Sequence, residues 1–300
     1  MKAKNVMRKQ MDLFSIINVT ILGIWGIIIL YPYYNAFLAS IASQKEYTLH
    51  PLMLFPSRLT FESYSYLLHG TNILTGYVNT FKLLLIGVPY NMLITISTAY
   101  ALSRKNYPGK KIFTFLVIFT MYFSGGLIPF YLLIKSLHLI NSLWAIILSY
   151  GANTFYAILI KNYLQTIPDE LEESARIDGA SELVILIRIL LPLTLPIMAT
   201  VILFFVVDRW NEWFNVMLLI RDSKKFTVQV VLRNIVFTTL DDMSSRVVSL
   251  KKNYSSQSLK MAAVVMTMAP IMAFYPFVQK YFIKGIMAAR HRPLARGAAR

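Results

Sequence analysis

The sequence predicts an all-α, polytopic membrane protein with about six transmembrane helices and one charged helical hairpin at a membrane surface. Three observations lead there. The 300 residues are 56% hydrophobic, with a mean hydropathy of +0.55 and only 15% charged residues, where soluble domains carry about a quarter charged. Apolar runs of spanning length recur along the chain. Six of its 14 acidic residues (Asp169, Glu170, Glu172, Glu173, Asp178 and Glu182) fall in one short segment between two such runs. A membrane chain keeps that much charge together only where water or a partner protein meets it.

The first span is expected at 13–41. It follows a basic start, MKAKNVMRKQMDLF, and is too long for the apolar part of a signal peptide, so it reads as a retained span. The second is expected at 77–102, the third at 112–135, the fourth at 142–163, the fifth at 186–207 and the sixth at 259–283. Each approaches or exceeds the ~20 residues that cross a hydrocarbon core. Helix is expected throughout, because lipid offers no partner to open backbone groups. Prolines 32, 89, 129, 196, 270 and 276 mark bends or ends, and Gly125-Gly126 ahead of Pro129 marks a flexible or closely packed point.

Short-loop charges set the orientation. Lys2, Lys4, Arg8 and Lys9 precede the first span, and Arg104, Lys105, Lys110 and Lys111 lie between the second and third. Both segments are expected in the cytoplasm. Six crossings then place the 164–185 loop and both termini there too. The 43–76 segment carries only Lys45 and Arg58 against Glu46 and Glu62, which suits the outside. The long 208–258 segment, also outside, is basic and fits this topology least well.

The net charge of +16 does not point to nucleic acid, since many basic residues flank apolar runs rather than forming a face. There are no cysteines, so disulfides, thiolate metal sites and cysteine nucleophiles are excluded. The four histidines, His50, His69, His138 and His291, have no metal-ligand spacing, and no catalytic constellation is visible. No phosphate-binding G-x-x-x-x-G-K-[ST] loop occurs.

The charged segment reads PDELEESARIDGASELVILIRILLP (168–192). Thr166, Pro168 and Asp169 are helix-start residues, and acids in the first turn meet the positive end of the helix dipole. Glu172 and Arg176 stand four apart in the favourable order. Asp178-Gly179 reads as a stop with a left-handed glycine cap, after which Ala180-Ser181-Glu182 starts a second helix leading into the fifth span. Leu171, Ala175 and Ile177 are expected to line one side and the acids the other. The bland alternative is a connector between spans.

Asp208, Arg209, Trp210, Asn211, Glu212 and Trp213 follow the apolar run 201–207. Charge near membrane depth usually faces a cavity, and Asn and carboxylates bond hydroxyls. Asp208, Trp210, Asn211 and Glu212 are therefore candidates for a substrate path. The alternative is an interfacial aromatic belt with an ordinary ion pair. Asn91, Thr95, Thr98 and Tyr100 are weaker candidates that serve equally well as bonds between helices.

Glu173-Ser174-Ala175-Arg176-Ile177-Asp178-Gly179-Ala180 and then Ile189-Leu190-Leu191-Pro192 resemble the EAA loop of ATP-binding-cassette importer permeases, E-A-A-x-x-D-G-A followed by I-x-L-P. Ser174 replaces one small alanine. AYALSRKNYPGKK (99–111), YFSGGLIPFYLLIKSLHLINSLWAIIL (122–148) and YPFVQKYFIKGIM (275–287) resemble the carbohydrate-uptake branch, close to its complex and uronate-containing oligosaccharide permeases. The resemblance covers nearly the whole chain.

It implies a coupling helix seated in a cleft of a partner ATPase. Glu172, Glu173, Ala175, Asp178, Gly179 and Ala180 become the coupling residues. It also implies a permease subunit, not an enzyme, that moves a carbohydrate inward by alternating access. Implied partners are a second permease in a heterodimer, two ATPase subunits holding ATP and Mg, an extracellular or periplasmic substrate-binding protein, and the lipid of a bacterial or archaeal cell membrane. No cofactor is expected on this chain, and no nucleic-acid partner. Residues 1–285 form the expected permease domain, with the coupling loop at about 164–192. The basic tail 286–300 departs from the family's usual short Gly- and Lys-containing end. An ion-coupled carrier and a non-transporting scaffold are the alternative functions.

Overall fold

The computed structural model describes residues 13–50, 54–104, 107–241 and 256–290. Residues 291–300 of the expected tail lie outside them. The chain forms two compact units, Met1–Gly70 with Thr238–Met266, and Thr71–Phe237 with Thr267–Arg300.

In the first unit, α1 (Leu13–Ile41) is a continuous spanning helix. Its apolar side chains from Phe14 to Leu30 stay outward, as hydrocarbon allows, and only its end is buried, at Leu38, Ala39 and Ile41. α2 (Gln44–Leu49) starts on Ser43, whose hydroxyl accepts the Glu46 N–H. α3 (Glu62–Gly70) begins just after the chain returns to α1. There Thr60 N–H donates to the Ile41 carbonyl (2.8 Å), and the Tyr64 and Ser40 hydroxyls share a hydrogen bond (2.7 Å). The Ser258 hydroxyl donates to the Ala42 carbonyl at 3.2 Å.

The second unit opens with α4 (Ile73–Lys82), a π turn (Leu83–Gly87) and α5 (Val88–Ser103), one span of 31 residues. The π turn leads directly to Pro89, which lacks the N–H that would close on the Leu85 carbonyl. A widened turn is one way to absorb that loss. α6 (Lys110–Tyr122) and α7 (Leu127–Ser136) bend by 109° across a break, and Gly126 there has φ +86. α8 (Leu143–Ser149) and α9 (Thr154–Leu164) bend by 44°. Ser142 caps α8, and Asn153 caps α9 by accepting the Tyr156 N–H (3.2 Å).

α10 (Asp169–Ile177) stands alone between spans. α11 (Glu182–Val184), a second π turn (Ile185–Leu190) and α12 (Leu191–Leu193) precede α13 (Leu195–Trp210), bent by 84° at Thr194. This π turn also runs into a proline, Pro192. α14 (Phe214–Leu219) and α15 (Val228–Asp241) fold back, and α16 (Ser256–Arg290) ends the described chain, divided between the units at Met266.

Six spans result when each bent pair counts as one. The third, fourth and fifth expected spans are thus broken rather than straight, and the second starts earlier, at Ile73. Apolar periodicity cannot register such breaks, because both halves remain equally apolar.

Two cores hold the second unit. One joins Ala99, Ile160, Leu164, Ala175, Ile185, Leu190, Val201 and Phe205. The other joins Leu83, Ala145, Ile146, Ile147, Val216, Leu219 and Val230. Between helices in lipid, close packing and hydrogen bonds supply the attraction, since tails are as apolar as leucine. Gly76 shows the closeness: a Cβ there would stand 3.1 Å from the Val228 backbone. Beside it, Thr80 accepts the Val228 N–H (3.0 Å), and Asn79 donates to the Lys224 and Phe226 carbonyls (2.8 and 3.1 Å).

Candidate functional site: a charged hairpin and a polar cavity

α10 ends as its sequence predicts. Gly179 sits at φ +81, the Gly179 N–H donates to the Arg176 carbonyl, and the Ala180 N–H donates to the Ala175 carbonyl (2.9 Å). This pair of bonds is the Schellman motif, which glycine permits because it has no Cβ. Asp169, Glu170 and Glu172 occupy the first turn, where the helix dipole favours them.

The sides of α10 are not as expected. Ala175 is buried, but so is the acid Glu172, at 7% exposure, whereas Leu171 and Ile177 face outward and Ile177 is 86% exposed. Glu172 turns inward because cations wait there. Arg104 grips its two carboxylate oxygens, one of them at 3.1 Å, and Arg176 donates to it at 3.4 Å. Arg176 also donates to Glu182 (2.9 Å), which accepts the Tyr100 hydroxyl as well. The Glu182 contact is the main influence raising Arg176 above the ordinary guanidinium value. Of the six hairpin candidates, Glu173, Asp178 and Gly179 are exposed, Ala180 is half-buried, and Glu172 and Ala175 form the inner face.

The 208–213 cluster also divides. Asp208, Asn211 and Glu212 line a cavity of about 410 Å³ together with Tyr150, Asn153 and Trp213. Asp208 accepts the Tyr156 hydroxyl (2.8 Å), and Glu212 accepts the Asn215 side-chain N–H (2.9 Å). Trp210 does not line this cavity. Its ring is 3% exposed and packs against Tyr77 and Phe81, because it points to the opposite side of α13. Trp213, two helix-breaking residues later, supplies the cavity's indole.

The alternative of an ordinary ion pair in this cluster does not appear among the described contacts, where Arg209 meets no carboxylate. Arg209, 2% exposed, runs back into the bundle. It donates to Asn91 Oδ1 (3.1 and 3.0 Å) and to the carbonyls of Ile146 (2.9 Å), Ile147 (3.4 Å) and Tyr150 (3.4 Å). Asn91 donates in turn to the carbonyls of Tyr150 and Gly151. These carbonyls are the open end of α8, so Arg209 and Asn91 cap the break between α8 and α9. Gly87, in the π turn, lies beside it: a Cβ there would make an ordinary van der Waals contact with Arg209 Nε, at 3.5 Å. Of the weaker candidates, Asn91 is a bond between helices, Thr98 bonds its own helix at Ile94 (2.8 Å), and Tyr100 serves the hairpin. Thr95 is buried. Among the described residues no His, Asp and Glu group is arranged to hold a metal ion.

The sequence reading missed Arg104 and Arg209. In the sequence Arg104 reads only as a loop charge, and the signal for Arg209 is a cation at the end of one apolar run with Asn91 in another.

Interrupted spans, a polar cavity at their breaks and a charged hairpin between the fourth and fifth spans define a multi-pass membrane permease. The chain belongs to the family described as the binding-protein-dependent transport system inner membrane component, which it matches over residues 91–288. Membership makes it a transport subunit rather than an enzyme. It is 38% identical to Protein LplC of Bacillus subtilis (strain 168) over 91% of this chain and 93% of that protein. It is 37% identical to the polygalacturonan/rhamnogalacturonan transport system permease protein YtcP of the same organism, over 92% and 96%. A chain of a bacterial ABC transporter involved in import of the acidic polysaccharide alginate superposes with a TM-score of 0.83 at 35% identity, covering 90% of this chain and 96% of that one.

Proposed function

We propose that this chain is one of two permease subunits of an ATP-driven importer whose cargo is an acidic, pectin-type oligosaccharide. The partners are a second, different permease, two ATPases that hold ATP and Mg, and a substrate-binding protein that delivers cargo from outside. Both termini and α10 lie in the cytoplasm, in line with the short-loop charges. The cargo class rests on the relatives named for polygalacturonan, rhamnogalacturonan and alginate. Exposed Arg221 and Lys224 suit an acidic sugar.

The observation that carries the reading is the hairpin's division of faces. Glu173, Ile177 and Gly179 are presented outward on a helix whose inner face, Glu172 and Ala175, is fixed to its own chain. An exposed isoleucine beside an exposed acid fits a cleft in a partner. Glu173 fixes the helix at the ATPase, and Asp178, Gly179 and Ala180 let that surface come close. Asp208, Asn211 and Glu212 form part of the cargo path, with Trp213 in the place expected of Trp210.

The test is ATP hydrolysis by the reconstituted complex with its binding protein and an oligogalacturonide digest, comparing wild type with Glu173→Lys. Cargo-stimulated hydrolysis is expected in the wild type and absent in the variant. Equal stimulation in both overturns the coupling role of α10.

A further inference from the structure

Five side chains close a ring around the base of the hairpin. The Arg104 guanidinium holds Glu172 of α10, and its central carbon lies 4.3 Å over the Tyr100 ring. The Tyr100 hydroxyl donates to Glu182 in α11, and Glu182 and Glu172 are bridged by Arg176. The ring therefore ties α10 to the end of α5 on one side and to the start of α11 on the other. Both ties bypass the backbone turn at Asp178-Gly179.

That turn is a poor transmitter by itself. Gly179 is exposed, at φ +81, and a Cβ there would meet nothing within 4 Å. A push on the outer face of α10 would be absorbed by rotation about such a hinge unless something spans it. Glu172 is the natural anchor. Its side chain is 10% exposed, and a buried carboxylate separated from its cation is strongly disfavoured. Arg104 binds it with two nitrogens, which fixes direction as well as distance.

We propose that Arg104 is a positioning residue for coupling: through Glu172 it makes α10 and α5 move as one piece, so that displacement of the hairpin reaches α5 directly. α5 carries Asn91, which with Arg209 holds the α8–α9 break beside the cavity. The hairpin thus has a route to the cavity wall in addition to the one through α11–α13. This rests on the importer reading above.

The experiment measures solute taken up per ATP hydrolysed by the full reconstituted complex, with an oligogalacturonide digest as the probe. Hydrogen exchange of the α10 amides is measured on the same complex without cargo. In Arg104→Glu, the uptake-to-hydrolysis ratio is expected to fall about tenfold, within the usual span of site-to-site couplings. ATP hydrolysis without binding protein stays unchanged, and α10 amides exchange faster. Combining Arg104→Glu with Glu172→Arg is expected to restore part of both readouts, because Arg176 loses its bond to Glu172, and Arg104→Lys to fall between wild type and Arg104→Glu because it loses the two-nitrogen grip.

If Glu173→Lys uncouples the importer but Arg104→Glu leaves ratio and exchange unchanged, the positioning role alone is overturned. If the swap restores neither readout, the ion pair is not the agent and the proposal fails. If Glu173→Lys leaves stimulation intact, the importer-coupling reading falls and takes this one with it. Should Arg104→Glu not assemble, Arg104→Lys decides, and unchanged exchange in it overturns the proposal.

Discussion

Arg104 and Arg209 solve one problem in opposite ways. Each guanidinium gathers separate helices, yet Arg104 meets a carboxylate at the edge of the bundle, and Arg209 meets only neutral oxygens inside it. Side-chain exposure of Arg104 is 23%, whereas Arg209 as a residue is 2% exposed. At the hairpin the carboxylate itself is buried, so it needs a cation beside it, and Arg104 supplies one. Deep in the bundle, helix-end carbonyls are already in place and need donors, and one cation satisfies several. The difference teaches that the partner of a membrane cation is not always an acid. The open ends of broken helices are enough.

The largest expected effect comes from removing the interior cation. Arg209→Met leaves Asn91 Oδ1 and the carbonyls of Ile146, Ile147 and Tyr150 with fewer donors at a buried position. At ~1–3 kcal/mol per orphaned buried group, a loss of about 3–5 kcal/mol is expected after partial relaxation. Heating the detergent-purified complex and measuring what remains assembled checks this. A variant as heat-resistant as wild type would mean that α8 and α9 keep their break without the cap.

A smaller effect sharpens the comparison by offering Arg209 the acid it lacks. Asn91→Asp gives the guanidinium a carboxylate but removes the donor to the Tyr150 and Gly151 carbonyls. A net loss of about 1–3 kcal/mol is expected, since the new attraction must offset a second buried charge and the orphaned carbonyls. A gain in heat resistance would show that carbonyls are a poor substitute for a counterion even here.

Much of this arrangement was legible in the residues, and its limits have physical causes. The Gly179 cap and the α10 start were readable because backbone rules act locally. The six apolar runs were readable because lipid imposes length. Two of the three breaks are marked in the sequence, by Gly125-Gly126 ahead of Pro129 and by Pro196, but the third, between Ser149 and Thr154, has no proline to mark it. The inward turn of Glu172 was hidden for another reason. The apolar pattern groups Leu171 and Ile177 with Ala175 on one side, but the inner face of α10 is set by Arg104, which lies 68 positions from Glu172. Trp210 and Trp213 exchanged roles because α13 ends at Trp210 and the chain changes direction there.

Arg104 and Arg209 differ in two respects at once, partner type and burial, and Glu46 in the first unit separates them. Its carboxylate is held by neutral donors, the backbone N–H groups of Ser57 and Arg58, as Arg209 is held by neutral acceptors, but in an exposed stretch. The Ser57 bond is the main cause holding Glu46 below its ordinary value. A carboxyl whose folded value is depressed adds stability above its unfolded value, ~4.3, and loses it as pH falls through the folded one. Glu46→Gln is therefore expected to differ slightly from wild type in heat resistance near neutral pH. That difference should vanish on acidification below the folded value. If burial gives Arg209 its strength, the Glu46 effect should be the smallest of the three. A loss in Glu46→Gln as large as that in Arg209→Met would instead assign the strength to backbone partners wherever they lie.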